Sequence, residues 1–142
     1  MTAYLDSSGL LKLFLPDEDG GDELLTVLAV LGMTTTNRLT YVEARSALAA
    51  ARRDGRLSAT DHDAAAEALE AVWASIIVVE LTDGIARDAG DLTDAFGLRA
   101  GDAVQLATVR AVGADEVVLV AWDGRLRAAA AAAGFAIYPT TI

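Results

Sequence analysis

Four acidic residues recur in the order Asp6, Glu43, Asp102 and Asp123, each where a folding chain would ordinarily place something else. Asp6 closes the apolar run Ala3-Tyr4-Leu5 and Asp123 closes Val117 to Trp122, so each lies at the end of a strand-like run ahead of a helix-like one. Glu43 shares a helical face with Leu39, Ala47 and Ala50, and Asp102 shares one with Leu98, Leu106 and Val109. An unpaired buried carboxylate costs several kcal/mol, comparable with the whole net stability of a domain. Compensation by a metal ion is the chemistry this pattern implies. An all-oxygen ligand set without His or Cys suits a hard cation, Mg²⁺ or Mn²⁺, and not zinc. Two plainer roles compete. Asp6 and Asp123 could be N-caps of the helices that follow them, and Glu43 and Asp102 could be paired with Arg45 or Arg99.

The elements that must position these acids follow from periodicity. Strand-like runs are Ala3 to Leu5, Met33 to Thr36, Ile76 to Glu80, Glu116 to Val120 and Ala136 to Tyr138. Helix-like runs fill the gaps: Ser8 to Phe14, Asp22 to Leu31, Leu39 to Asp54, Ala59 to Ala74, Gly84 to Phe96, Arg99 to Val112 and Arg125 to Ala133. Candidate N-caps are Asp22, Ser58 or Thr60, Thr82 and Asp123, and Gly32, Gly55, Gly97, Gly113 and Gly134 stop the helices. Strands alternating with helices predict an α/β fold with a mostly parallel sheet covered on both faces. In such sheets ligands bind beyond the carboxyl ends of the strands, where Asp6 and Asp123 should lie.

Bulk properties narrow the function classes. The 142 residues, 54% hydrophobic with mean hydropathy +0.37, predict a single domain, residues 1–142, with a sizeable core. The uncharged stretches Leu24 to Asn37 and Ala128 to Ile142 are shorter than the roughly 20 apolar residues a bilayer requires, and the N-terminus reads as a strand. The expected location is the cytoplasm, away from membranes. There is no Cys, and the lone His62 sits in the polar run Thr60 to Asp63, where it is expected to be solvated. A net charge of −10 argues against a protein that coats nucleic acid, but ten of the eleven basic residues are Arg, suited to phosphate contacts. Arg45, Arg52 and Arg56 form one stripe on the helix that carries Glu43, either solvated or steering phosphate. The Asp17 to Asp22 run lacks the spacing of an EF-hand loop and reads as a solvated turn. No glycine-rich phosphate loop is present. Ser at position 8 excludes the second Asp of a haloacid-dehalogenase-like phosphatase, and Lys12, the one Lys, lies too early for a receiver domain.

Four blocks then carry a family resemblance: Tyr4 to Phe14, Thr40 to Leu48, Leu98 to Ala107 and Ala121 to Leu126. In order and spacing they resemble a PIN domain, closest to the VapC-type toxins of toxin–antitoxin pairs. The resemblance implies a three-layer α/β/α sandwich and a Mg²⁺- or Mn²⁺-dependent endoribonuclease. Asp6, Glu43, Asp102 and Asp123 match the family's acidic quartet, and Ser8 matches the small hydroxyl residue that supports the first acid. Gln105 stands where many members have His, and Ala121-Trp122 replaces a frequent Thr- or Ser-containing pair ahead of Asp123.

With the acids holding one or two ions, water would attack the phosphodiester and leave a 5′-phosphate and a 3′-hydroxyl. The resemblance also implies a homodimer, for which the nearly all-apolar Asp22 to Leu31 helix offers a surface. A cognate VapB-type antitoxin with a basic C-terminal arm could block the acidic pocket, its helix lying in a groove between the Asp22 and Leu39 helices. The alternatives are a catalytically weak PIN-like binding module and an RNA-processing nuclease that is not a toxin.

Overall fold

In the computed structural model, which describes residues 1–15 and 19–141, five strands form one sheet in the order β3-β2-β1-β4-β5. The strands are β1 (Thr2–Leu5), β2 (Met33–Asn37), β3 (Ile77–Val79), β4 (Val117–Val120) and β5 (Ala136–Tyr138). All four pairings are parallel, with Tyr4 opposite Thr35 on one side and Leu119 on the other. Among the described residues the helices are α1 (Ser7–Leu11), α2 (Gly21–Leu31), α3 (Arg38–Arg53), α4 (Ala59–Trp73), α5 (Asp83–Phe96), α6 (Ala100–Val112) and α7 (Gly124–Ala132).

The period-2 alternation of buried strands divides the core between the two sheet faces. Ala3, Leu5 and Val120 point to one face, where Leu10, Leu24, Leu48 and Leu69 from α1 to α4 cover them. Tyr4, Val117 and Leu119 point to the other, under Leu92, Leu106 and Leu126 from α5 to α7. Each of these fully buried leucines contributes roughly 2 kcal/mol of apolar transfer energy. The result is the three-layer α/β/α sandwich. No described helix is long and apolar enough to cross a membrane.

Several local expectations change. The first helix ends at Leu11 and the chain continues as turns through Phe14. The second is entered through Gly20, in the left-handed region at φ 93°, so Asp22 lies inside the first turn and is not its N-cap. A Cβ on Gly21 would stand 2.5 Å from the Lys12 carbonyl oxygen, so this close approach requires glycine. Residues 16–18, part of the expected Asp17 to Asp22 turn, lie outside the described residues. The buried stripe of α3 is Thr40, Ala44, Leu48 and Ala51, so Glu43 stands at the edge of that stripe and not on it. His62 is not solvated: its side chain is 15% exposed, with Nδ1 3.1 Å from the Asp63 carboxylate.

Candidate active site

The chain runs from β1 outward to β2 and β3, then returns to place β4 on the opposite side of β1. This reversal leaves a crevice at the carboxyl ends of β1 and β4. Asp6 follows β1 directly, and Asp123 lies three residues beyond β4. Glu43 enters from α3, which starts immediately after β2, and Asp102 enters from the first turn of α6. All four acids line one pocket of about 400 Å³, together with Ser7, Ser8, Arg99 and Gly101. A larger hollow of about 550 Å³ beside Lys12 and Gly20 holds none of the four.

Asp6 is 3% exposed and caps α1. Its Oδ1 accepts from Ser8 Oγ at 2.7 Å and from the Gly9 amide at 2.8 Å, so both bonds fall on one oxygen. Ser8 Oγ in turn accepts from the Trp122 amide at 2.8 Å, tying the first acid to the segment that delivers the last. A Cβ on Gly9 would stand 2.6 Å from the Val120 carbonyl oxygen, so only glycine lets α1 start this close to β4. Asp123 likewise caps its helix, Oδ1 accepting from the Leu126 amide at 2.9 Å. Arg127 fixes the surrounding loop by donating to the carbonyls of Ala121 and Pro139.

The predicted ion pairs are weak or absent. Arg45 donates to the Tyr41 hydroxyl instead of meeting Glu43. Glu43 Oε1 accepts from Gln105 Nε2 at 2.6 Å. Arg99, its side chain 71% exposed, lies 3.8 Å from Asp102 and 3.9 Å from Asp123, beyond hydrogen-bond distance of both. Asp102 Oδ2 is buried without a hydrogen-bond partner, the one such side-chain atom among the described residues. Burying a carboxylate oxygen without a hydrogen bond is costly, and the positive charge beside it is the Arg99 guanidinium at 3.8 Å.

The electrostatics agree. Burial, reinforced by Glu43 and Asp123, pushes the Asp6 carboxyl up to about 7 against the bonds from Ser8 and Gly9. Burial also raises Glu43, with Asp102 adding to the shift and Gln105 opposing it. Asp102 is raised by burial and by Asp123, opposed by Arg99 and Arg125. The donor chemistry therefore fits a hard divalent cation. As the side chains stand, no three acids among the described residues form a group that could hold a metal ion.

A stability prediction follows. An acid whose folded pKa is raised stabilises the fold only while protonated; that contribution is full below its unfolded value and is lost as pH rises through its folded value. For Asp6 the window runs from 3.8 to about 7. Between about pH 5 and pH 8 without metal, the wild-type melting temperature should fall relative to that of Asp6→Asn, whose amide keeps both cap bonds but cannot ionise. Mg²⁺ or Mn²⁺ should raise the wild-type value at the upper pH and leave the variant unmoved. Parallel melting curves across that range would show that the acids are not uncompensated.

Sequence reasoning marked Gln105 only as a departure from the family pattern and missed that it belongs to a set of buried polar residues beside the quartet. Thr35, Thr36, Asn37, Thr40, Gln105 and Thr108 are all buried. The available signal was the polar run Thr34 to Asn37 closing a strand that should be apolar.

A parallel sheet with acids gathered at its switch point defines a class, and the chain belongs to it: residues 3–132 match the PIN domain family. Within that family it falls with the VapC-type proteins. It is 37% identical to the ribonucleases VapC45 and VapC49 of Mycobacterium tuberculosis over 139 residues, 98% of this chain and 96% of theirs. The fold is shared with M. tuberculosis VapC20, a toxin that cleaves the sarcin–ricin loop, at TM-score 0.67 and 20% identity, covering 94% of this chain and 95% of that one. It is also shared with a chain of a toxin–antitoxin complex from Klebsiella pneumoniae, at TM-score 0.60 and 17% identity, covering 85% and 86%.

Proposed function

We propose that this protein is a Mg²⁺- or Mn²⁺-dependent endoribonuclease acting as the toxin of a toxin–antitoxin pair. The observation that carries the reading is the convergence of Asp6, Glu43, Asp102 and Asp123, from four separate segments, on one pocket where a buried Asp102 oxygen has no hydrogen bond. Identity of 37% over nearly the full length to two proteins named ribonucleases supports it. A divalent ion there would supply Lewis acidity toward the phosphodiester and lower the pKa of the attacking water. The chain's own residues do the rest. Ser8 and the Gly9 amide hold Asp6 in one orientation, Gln105 holds Glu43, and exposed Arg99 at the rim is free to turn toward a substrate phosphate. Incubation with structured RNA and Mn²⁺ should give internal cleavage, with 5′-phosphate ends, that stops on chelation. Intact RNA at high protein and Mn²⁺ concentrations would favour the second reading, a binding module. That reading has one observation behind it, the lack of a ready-made ligand group as the acids stand.

Assembly as a homodimer is part of the proposal. On α2 only Leu24 is buried, whereas Leu25 is 54% and Val30 82% exposed, and neighbouring Met33 is 53% exposed. A second copy would cover this apolar surface. Light scattering should therefore give about twice the 14.7 kDa chain mass at micromolar concentration. A monomer under those conditions would leave the surface for another partner.

A further inference from the structure

The buried polar residues behind the acids form one connected path. Thr36 Oγ1 donates to the Leu5 carbonyl at 2.6 Å, and the hydroxyls of Thr36 and Thr40 lie 2.8 Å apart. Gln105 Nε2 donates to Thr40 Oγ1 at 2.9 Å and to Glu43 Oε1 at 2.6 Å, while the Tyr4 hydroxyl donates to Gln105 Oε1 at 2.5 Å. Tyr4, Thr36 and Thr40 are fully buried and Gln105 is 1% exposed, so water does not compete.

The protons on this path can be assigned. A hydroxyl has one proton, and that of Thr36 goes to the Leu5 carbonyl, which can only accept. Thr40 therefore gives its proton to Thr36 at 2.8 Å in preference to Gln105 Oε1 at 3.3 Å, leaving its own oxygen as an acceptor for Gln105 Nε2. The buried Tyr4 phenol gives its proton to the amide oxygen. Both neighbours thus impose the same orientation on an amide that could otherwise flip. A flipped amide would set oxygen against the Glu43 carboxylate and NH₂ against the Tyr4 donor. A Cβ on Gly101 would stand 2.7 Å from Glu43 Oε2, so a larger residue there would push the carboxylate out of this position.

We propose that Gln105, its amide locked by Tyr4 and Thr40, is a positioning residue that holds the Glu43 carboxylate at the acidic pocket from behind. The proposal rests on the metal-dependent reading above. Partners that orient a metal ligand are worth about 10- to 100-fold in metal affinity or activity. Gln105→Leu, which removes the donor at similar volume, should therefore weaken Mn²⁺ binding, measured by electron paramagnetic resonance, by about tenfold or more, and lower kcat more than it raises KM. Tyr4→Phe deletes only the lock and should show the same pattern more weakly, with the fold intact. Gln105→His, which can donate to Glu43 while accepting from Tyr4, should recover most of the affinity.

A Gln105→Leu protein that melts lower but binds Mn²⁺ within about twofold of wild type would overturn the proposal, since a merely structural residue predicts that result. Should Gln105→Leu fail to fold, wild-type Mn²⁺ affinity in Tyr4→Phe would overturn it. A wild-type protein that binds no Mn²⁺ would overturn the metal-dependent reading, and this proposal with it.

Discussion

Asp6→Asn, Glu43→Gln and Asp102→Asn should each lower RNA cleavage by more than a hundredfold while the far-ultraviolet circular dichroism stays that of the folded protein. Loss of a residue that merely orients a metal ligand costs about 10- to 100-fold, so loss of a ligand's own charge should exceed that range. The fold should survive because each amide retains an acceptor oxygen. In Asp6→Asn that oxygen can still accept from Ser8 and the Gly9 amide, and in Glu43→Gln it can still accept from Gln105. Asp102→Asn replaces a carboxylate whose Oδ2 has no hydrogen bond to lose, only a 3.8 Å contact with exposed Arg99. Asp123→Asn should be milder, because Asp123 is the more open acid, 31% exposed, with one oxygen occupied in capping α7. Asp83→Asn is the control: that carboxylate is 81% exposed in a surface pair with Arg87, and such pairs are worth little. Retention of a tenth of wild-type activity by the Asp102 variant would sink the quartet assignment.

The legibility of this arrangement was uneven, and for physical reasons. Periodicity located every strand and helix, because buried parallel strands read as short β-branched runs and glycines such as Gly97 and Gly113 close the helices. Periodicity does not report close approach. Gly9, Gly21 and Gly101 read as ordinary positions in or beside helices, yet each leaves room for a carbonyl or carboxylate from a distant segment. For Asp6 and Asp123, helix cap and candidate ligand stood as alternatives in the sequence. In the structure both cap their helices, each through Oδ1, and both also line the pocket, so capping does not remove either acid from the site.

Arg45 could not be separated from Arg99 as a partner, because that choice turns on Tyr41, whose hydroxyl accepts from Arg45 and whose ring packs edge-on against Trp73 at 5.3 Å. The path from Tyr4 through Gln105 spans about a hundred residues of chain, and no local pattern encodes a contact of that range.

Expressed alone in its host, the protein should arrest growth, and co-expression of a small neighbouring gene product with a basic C-terminal arm should restore it. The pocket itself argues for such a partner. Its acids already draw Arg99 toward Asp102 and Asp123, but the guanidinium stops at 3.8 and 3.9 Å, short of a hydrogen bond to either. An arginine on an incoming peptide is free of the geometry that holds Arg99 on its helix cap, so it can make the bidentate contact Arg99 does not and deny the acids to a cation. Exposed apolar residues outside the proposed dimer surface, such as Val42 on α3, would let the rest of that peptide bury surface as it orders, offsetting the entropy lost. Asp6→Asn should be harmless with or without the neighbour, because the same charge serves cleavage and capture. Mutating the arm's arginines should abolish rescue more fully than truncating its apolar helix if the pocket is the target. If the wild-type protein is harmless at high expression in a host lacking the neighbouring gene, the toxin role fails, while the cleavage assay still decides whether the pocket hydrolyses RNA.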